Sequence, residues 1–338
     1  MSKGRTMARG ARVAGALLLA GLVALDLGWI VRDFLRATEV TDVWWMWSGL
    51  LFRAQDGVWV SSFVEPTLLV LYTVGAVTAL RSSAAAGILG WTGAVTVLLR
   101  VPTLWNLNAG WVLGGVSDGL RLKVLWSAIT MVTLGAALVV TAVAGRRPAA
   151  ESADGDVPVP APGTDGPAPL RRGTADEAPA RPTPGGGRTA SLLLGTVAVV
   201  LIGWELRSGF DQGWGLYWGH FAGDRALVTL LAVPESWYGW ALALLSLAAA
   251  FAAFTRAPYS RPLGMTVSAP LLGLGIFSLS FAAKAGLLEH LGELGLYDRL
   301  QLATAVFEVL AACTVLAALA PRHAEQTAPL AAGQPTHP

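Results

Sequence analysis

Charge and cysteine are both scarce in this chain of 338 residues. Asp, Glu, Lys and Arg together make up 14% of it, where a soluble domain carries roughly 25%. Lysine occurs only at Lys3, Lys123 and Lys284. So little charge cannot cover a water-exposed globule, and soluble enzymes and nucleic-acid-binding modules are excluded together. The single cysteine, Cys313, can close neither an intrachain disulfide nor a thiolate metal site. The four histidines, His220, His290, His323 and His337, place no pair on one apolar run, which argues against haem or metal ligation inside a bilayer. Gly185-Gly-Gly187 follows no strand pattern and is not read as a nucleotide loop. No cofactor is expected from these patterns.

Apolar residues fill the space that charge leaves. They amount to 54% of the chain, with 14 tryptophans, and the mean hydropathy is +0.55. A bilayer core needs about 20 apolar residues per helix. Eight runs meet that length, at 13–31, 61–80, 84–104, 121–144, 189–209, 236–255, 265–288 and 300–320. The first follows Lys3, Arg5, Arg9 and Arg12 and is read as a retained span rather than a cleaved signal. Arg81, Arg256, Arg261 and Arg322 fall on the same side as these bases, with one acid, Glu325, while Asp33, Glu39, Asp42, Asp56, Asp118, Asp211, Asp224, Glu289, Glu293 and Asp298 fall on the other, mixed with fewer bases. That asymmetry predicts a multi-pass protein of the cell membrane with both termini cytoplasmic.

Between Arg146 and Arg188 lie nine of the 19 prolines and almost no large apolar residue. Such a stretch cannot offset the entropy of ordering, so a disordered cytoplasmic linker is expected. The organisation read from the sequence is a membrane unit at 1–145, the linker at 146–188, a second membrane unit at 189–322 and a loose tail at 323–338. The linker is read mainly as a tether, with a cytoplasmic partner docking at Arg171–Arg172 as the other use of it.

Landmarks recur on either side of the linker in one order. Gly28-Trp29-Ile-Val-Arg32 matches Gly203-Trp204-Glu-Leu-Arg207 at an offset of 175, and Glu65 beside Pro66 matches Glu235 beside Pro234 at 170. Arg100 answers Lys284 at 184, and Asp118-Gly-Leu-Arg-Leu122 answers Asp298-Arg-Leu-Gln-Leu302 at 180. Wandering offsets are what loop-length differences produce. The predicted fold is therefore all-α and integral to the membrane, built as two parallel four-helix repeats, because an even helix count leaves both halves with the same orientation.

Twelve tryptophans fall at or near the predicted outer ends, including Trp29, Trp204, Trp237 and Trp240. An interfacial belt has members at both membrane surfaces, so this one-sided excess points to aromatic side chains turned over an outward-lying cavity. Acids inside apolar runs are functional-site candidates by default, since lipid penalises them. Glu205 and Glu308 lie deepest, and Glu65 and Glu235 open the second helix of each half. Pairing with Arg32, Arg207, Arg100, Arg121 or Lys284 as inter-helix ties, or snorkelling to the interface, is the structural alternative. A carboxyl group held in a low-dielectric pocket can serve as a general acid, and aromatic faces stabilise a developing cation. Together they suit protonation-initiated ring closure of a prenyl chain or its epoxide. No Asp-rich Mg²⁺-diphosphate motif is present, which disfavours ionisation of a prenyl diphosphate.

Ile202-Gly-Trp204-Glu205-Leu-Arg-Ser-Gly-Phe210 resembles the Trp-Glu segment of membrane-integral terpene cyclases that fold prenylated aromatic or epoxidised meroterpenoid substrates. The resemblance implies that Glu205 donates the proton and that a second acid, Glu308, Glu65 or Glu235, assists; the aromatic excess on the outer side adds Trp204, Trp29, Trp237 and Trp240 as the candidates that stabilise the cation. Fungal members are shorter, have about seven helices and lack both the Pro-rich linker and the repeat. The expected function is thus a membrane terpene cyclase of the isomerase or lyase type, acting on an apolar prenylated small molecule. A transporter or exporter component, or a non-catalytic membrane scaffold, are the alternatives.

Overall fold

The computed structural model describes residues 5–52, 54–55, 57–109, 112, 115–148, 181–223 and 229–320. The tail at 323–338 and most of the expected linker lie outside these residues. Eight helices are long and apolar enough to cross a membrane, one for each run read from the sequence. The architecture is that of a multi-pass membrane protein.

The first half contains α1 (Arg9–Arg36), a short α2 (Val40–Trp47), α3 (Val64–Arg81), α4 (Ala85–Arg100), the single turn α5 (Thr103–Asn106) and α6 (Asp118–Ala144). The second half contains α7 (Pro184–Gln212), a short α8 (Trp214–Ala222), α9 (Glu235–Phe254), α10 (Ser260–Lys284) and α11 (Leu296–Leu319). Outside the helices, Arg5–Met7 (β1) pairs antiparallel with Arg146–Pro148 (β2), tying the start of the first half to its end.

Local chemistry fixes several helix ends. Ser117 caps α6 by accepting from the amide of Leu120 at 3.4 Å. Thr183 caps α7 by accepting from Gly186 at 3.1 Å, with Pro184 in the first turn, where its missing N–H costs nothing. The helix therefore begins inside the stretch assigned to the linker. A Cβ on Gly186 would collide with the carbonyl oxygen of Ala318, so α7 and α11 touch backbone to backbone there.

The two halves have the same plan. In the first, α1 packs on α3, α3 on α4, α4 on α6 and α6 back on α1; in the second, α7, α9, α10 and α11 close an identical ring. Both also place a short helix after the first long one. The halves meet mainly through α10 against α3 and α4. Close approach is possible because Gly273 of α10 has no Cβ to strike Thr67 of α3.

A second contact between the halves reveals their symmetry. Trp59 bridges Thr229 in parallel register, with Leu230 N donating to Trp59 O at 3.2 Å and Leu231 N to Val60 O at 2.9 Å. The offset of 170 between the bridged residues equals that between Glu65 and Glu235. The same offset at the bridge and at the two acids is what two repeats of one plan predict.

Candidate functional site

The two halves fill their interiors differently. In the first, α1, α3 and α4 bring Asp26, Glu65 and Arg100 together, and all three side chains are fully buried. Arg100 Nη1 donates to Glu65 Oε1 at 2.5 Å, and Nη2 donates to Asp26 Oδ1 at 3.3 Å. The other oxygen of Glu65 accepts from the amide of Ser62 and, at 2.8 Å, from its hydroxyl. Arg100 Nη1 also reaches Leu231 O at 3.3 Å, across the boundary between halves. A guanidinium shared by two carboxylates is the arrangement that makes such burial tolerable.

The second half holds a cavity of about 630 Å³ instead. Helix α7 contributes Leu201, Trp204, Glu205, Ser208 and Gln212, whose spacing of three and four residues puts them on one face. Opposite them α11 contributes Tyr297, Gln301, Thr304, Ala305 and Glu308. Ser236, Tyr238 and Gly239 of α9, and Leu274, Ser278 and Phe281 of α10, complete the wall. The first half reaches over it with Met46, Trp47, Ser48 and Gly49 from the end of α2, and with Ser62 and Phe63. Gln212, Asp298 and Gln301 are exposed, so the mouth lies between the C-terminal end of α7 and the N-terminal end of α11.

Two buried carboxyl groups face this space. Glu205 is 9% exposed and accepts from the Tyr217 hydroxyl at 3.0 Å. That hydroxyl in turn accepts from Trp240 Nε1 at 2.5 Å. Burial pushes the Tyr217 phenol above its ordinary range, so it remains a proton donor to Glu205. Gly239 leaves the room Glu205 needs, since a Cβ there would overlap its carboxyl group. Glu308 is 4% exposed and has no hydrogen-bond or ion-pair partner among the described residues. It lies 12 residues into α11, about 18 Å below the N-terminal end.

Of the acids singled out in the sequence, Glu205, Glu308 and Glu235 line this one cavity, Glu235 at an exposed position. Glu65 does not; it belongs to the Arg100 cluster behind the wall. Among the tryptophans, Trp204 lines the cavity and donates to Thr304 Oγ1 at 3.1 Å. Trp240 acts one step back, through Tyr217. Trp237 instead donates to Leu98 O at 2.9 Å and stacks with Trp105 and Phe221, and Trp29 packs into the apolar core. Arg207 pairs with Asp211 at 2.9 Å and lies 4.6 Å over the Tyr297 ring, so it ties neither Glu205 nor Glu308. Lys284 is exposed and sits 5.0 Å over Trp45.

Sequence reasoning missed Tyr217, Tyr238 and the end of α2. Tyr217 stands 12 residues from Glu205 across a reversal of the chain at Gly213, whose φ of +82° favours glycine. Tyr238 follows Glu235 by three residues, a helical spacing that signals a shared face; its hydroxyl donates to Pro270 O at 2.9 Å. No protein-family model, curated protein or solved structure matches the chain.

Proposed function

We propose that the chain is a membrane-embedded acid–base enzyme that cyclises an apolar prenyl chain or prenyl epoxide. One observation carries this reading: Glu205 and Glu308 face a single aromatic-bearing cavity, and neither is neutralised by a cation among the described residues. A partnerless buried carboxyl group is least costly as the neutral acid, whereas one that accepts a hydrogen bond is suited to the carboxylate form. Glu308 is accordingly assigned as proton donor and Glu205 as acceptor, the reverse of the role that the Trp-Glu resemblance gives Glu205.

The step balances as an isomerisation. Glu308 gives its proton to a carbon of an alkene, whose π pair forms the new C–H bond, or to an epoxide oxygen, whose C–O bond breaks. A second alkene attacks the resulting cation with its π pair and closes a ring. Glu205 then removes a proton next to the final cationic carbon, and that C–H pair becomes a double bond. Trp47, Phe63, Trp204 and Tyr297 line the same space, and aromatic surface of this kind stabilises a developing positive charge. The net proton returns to Glu308 through water at the mouth.

Arg9, Arg12, Arg81, Arg256 and Arg261 lie at the membrane face opposite the cavity mouth. By the positive-inside rule that face is cytoplasmic and the mouth is external. The test is turnover by purified protein of farnesyl and geranylgeranyl phenols, indoles and their terminal epoxides, with products identified by mass spectrometry. Cyclised isomers that vanish in Glu308→Gln and Glu205→Gln support the proposal. Equal product from both variants and the parent sinks it.

A further inference from the structure

The pseudo-symmetry shows how this fold neutralises buried acids, and where it leaves the task undone. In the first half the acids come from the first and second long helices, and the third supplies Arg100 to bond both. In the second half, Glu205 and Glu308 come from the first and fourth long helices. The third supplies Lys284, which answers Arg100 in the repeat. Lys284, however, is exposed over Trp45 and outside the cavity lining. Space takes the place of the cation.

That space matches a particular ligand chemistry. Its described lining includes Glu205, Glu235, Asp298 and Glu308 and no Lys or Arg. An ionised carboxyl group in a low-dielectric wall attracts a cation far more strongly than it does in water, and an arriving cation favours the ionised form of an acid such as Glu308 that is neutral while the cavity is empty. Trp47 and Phe63 add aromatic surface to that lining, and Arg207 over the Trp204 and Tyr297 rings shows a cation already held by aromatic residues of the same wall. Anionic amphiphiles such as prenyl phosphates or fatty acids meet four carboxyl groups in that lining against one histidine, His220.

We infer that the cavity binds lipophilic cations, organic ammonium or phosphonium groups carried on apolar substituents, which occupy in the second half the role Arg100 has in the first. The site takes them whether or not the cyclisation chemistry holds, so binding without turnover leaves this inference standing while removing the other.

Full-length protein in nanodiscs is titrated with tetraphenylphosphonium and with tetraphenylborate, two probes of similar shape and opposite charge, following tryptophan fluorescence and direct equilibrium binding. Saturable binding of the phosphonium, at least about tenfold tighter than that of the borate, is expected. Glu308→Gln and Glu205→Gln should each weaken the phosphonium by about tenfold or more, and Glu308→Asp should restore much of it. Folding of each variant is checked by its size-exclusion profile and melting curve. Equal affinity for both probes in the parent protein overturns the inference without recourse to any variant. So does phosphonium binding that a folded Glu205→Gln/Glu308→Gln double variant retains in full.

Discussion

The Tyr217 hydroxyl stands 3.0 Å from Glu205 Oε2. It joins the short helix after α7 to the acid buried within α7. The same hydroxyl accepts from Trp240 Nε1, so side chains of two other helices hold the carboxyl group that α7 carries.

Tyr217→Phe removes both bonds at once. Glu205 loses its phenolic donor and keeps Ser236, and Trp240 Nε1 loses its acceptor. Each buried polar group left unsatisfied costs about 1–3 kcal/mol. The expected result is a lowered melting temperature together with a loss of turnover larger than that of a remote variant of equal stability. Turnover that falls only in step with stability would limit Tyr217 to a packing role.

Gly239→Ala tests the position of Glu205 from the other side. The new Cβ overlaps the carboxyl group, and relieving the clash turns Glu205 away or separates α7 from α9. Overpacking of this kind costs typically 1–3 kcal/mol. Phosphonium affinity should fall in this variant while Glu65 and Arg100, in the other half, stay paired. An unchanged affinity would show that Glu205 can shift at no cost.

Removing one member of the Arg100 cluster should be more damaging than removing all of it. Arg100→Met leaves two buried carboxylates facing each other, and breaking such a pair costs about 3–5 kcal/mol. The combined Asp26→Leu, Glu65→Met and Arg100→Met variant leaves no uncompensated charge. It should recover much of the monodisperse yield and melting temperature that Arg100→Met loses. A triple variant as unstable as the single one would mean that hydrogen bonds to Ser62 and Leu231, not charge balance, hold this region.

Asp33 is fully buried and accepts from Ser61 N and Ser61 Oγ, each at 2.6 Å, from Val60 N, and from Arg32 at 2.6 Å. Ser61 Oγ also accepts from Trp47 Nε1 at 3.0 Å, which links Asp33 to the part of α2 over the cavity. In Asp33→Asn, one of these acceptor oxygens becomes an amide donor. Amide hydrogen exchange should accelerate across residues 57–62 and α2 and remain slow in α6. Uniform acceleration would point to global destabilisation instead.

Much of this molecule is legible in the chain before it folds. Long apolar runs separated by turns and charges predicted eight spanning helices, and eight of that length and composition are present among the described residues, because backbone groups in lipid must bond within their own helix. The recurrence of Trp29 and Trp204, and of Glu65 and Glu235, announced two similar halves, since each landmark is local and survives any change in loop length. Glu205 and Glu308 were visible as acids in apolar surroundings. Their occurrence on facing walls of one cavity was not, because the two are 103 positions apart.

What the sequence determined by itself is the membrane environment, the helix number and the division into halves, all consequences of hydrophobic runs and their order. Tertiary structure alone decided which acids are neutralised and which are not. Glu65 and Glu235 open equivalent helices, yet among the described residues Glu65 meets a guanidinium and Glu235 does not, because Arg100 points into its bundle while Lys284 lies over Trp45. The same four-helix plan thus yields a filled core in one half and an acid-lined cavity in the other. Charge compensation acts over a few ångströms, and only packing brings residues from distant parts of the chain that close.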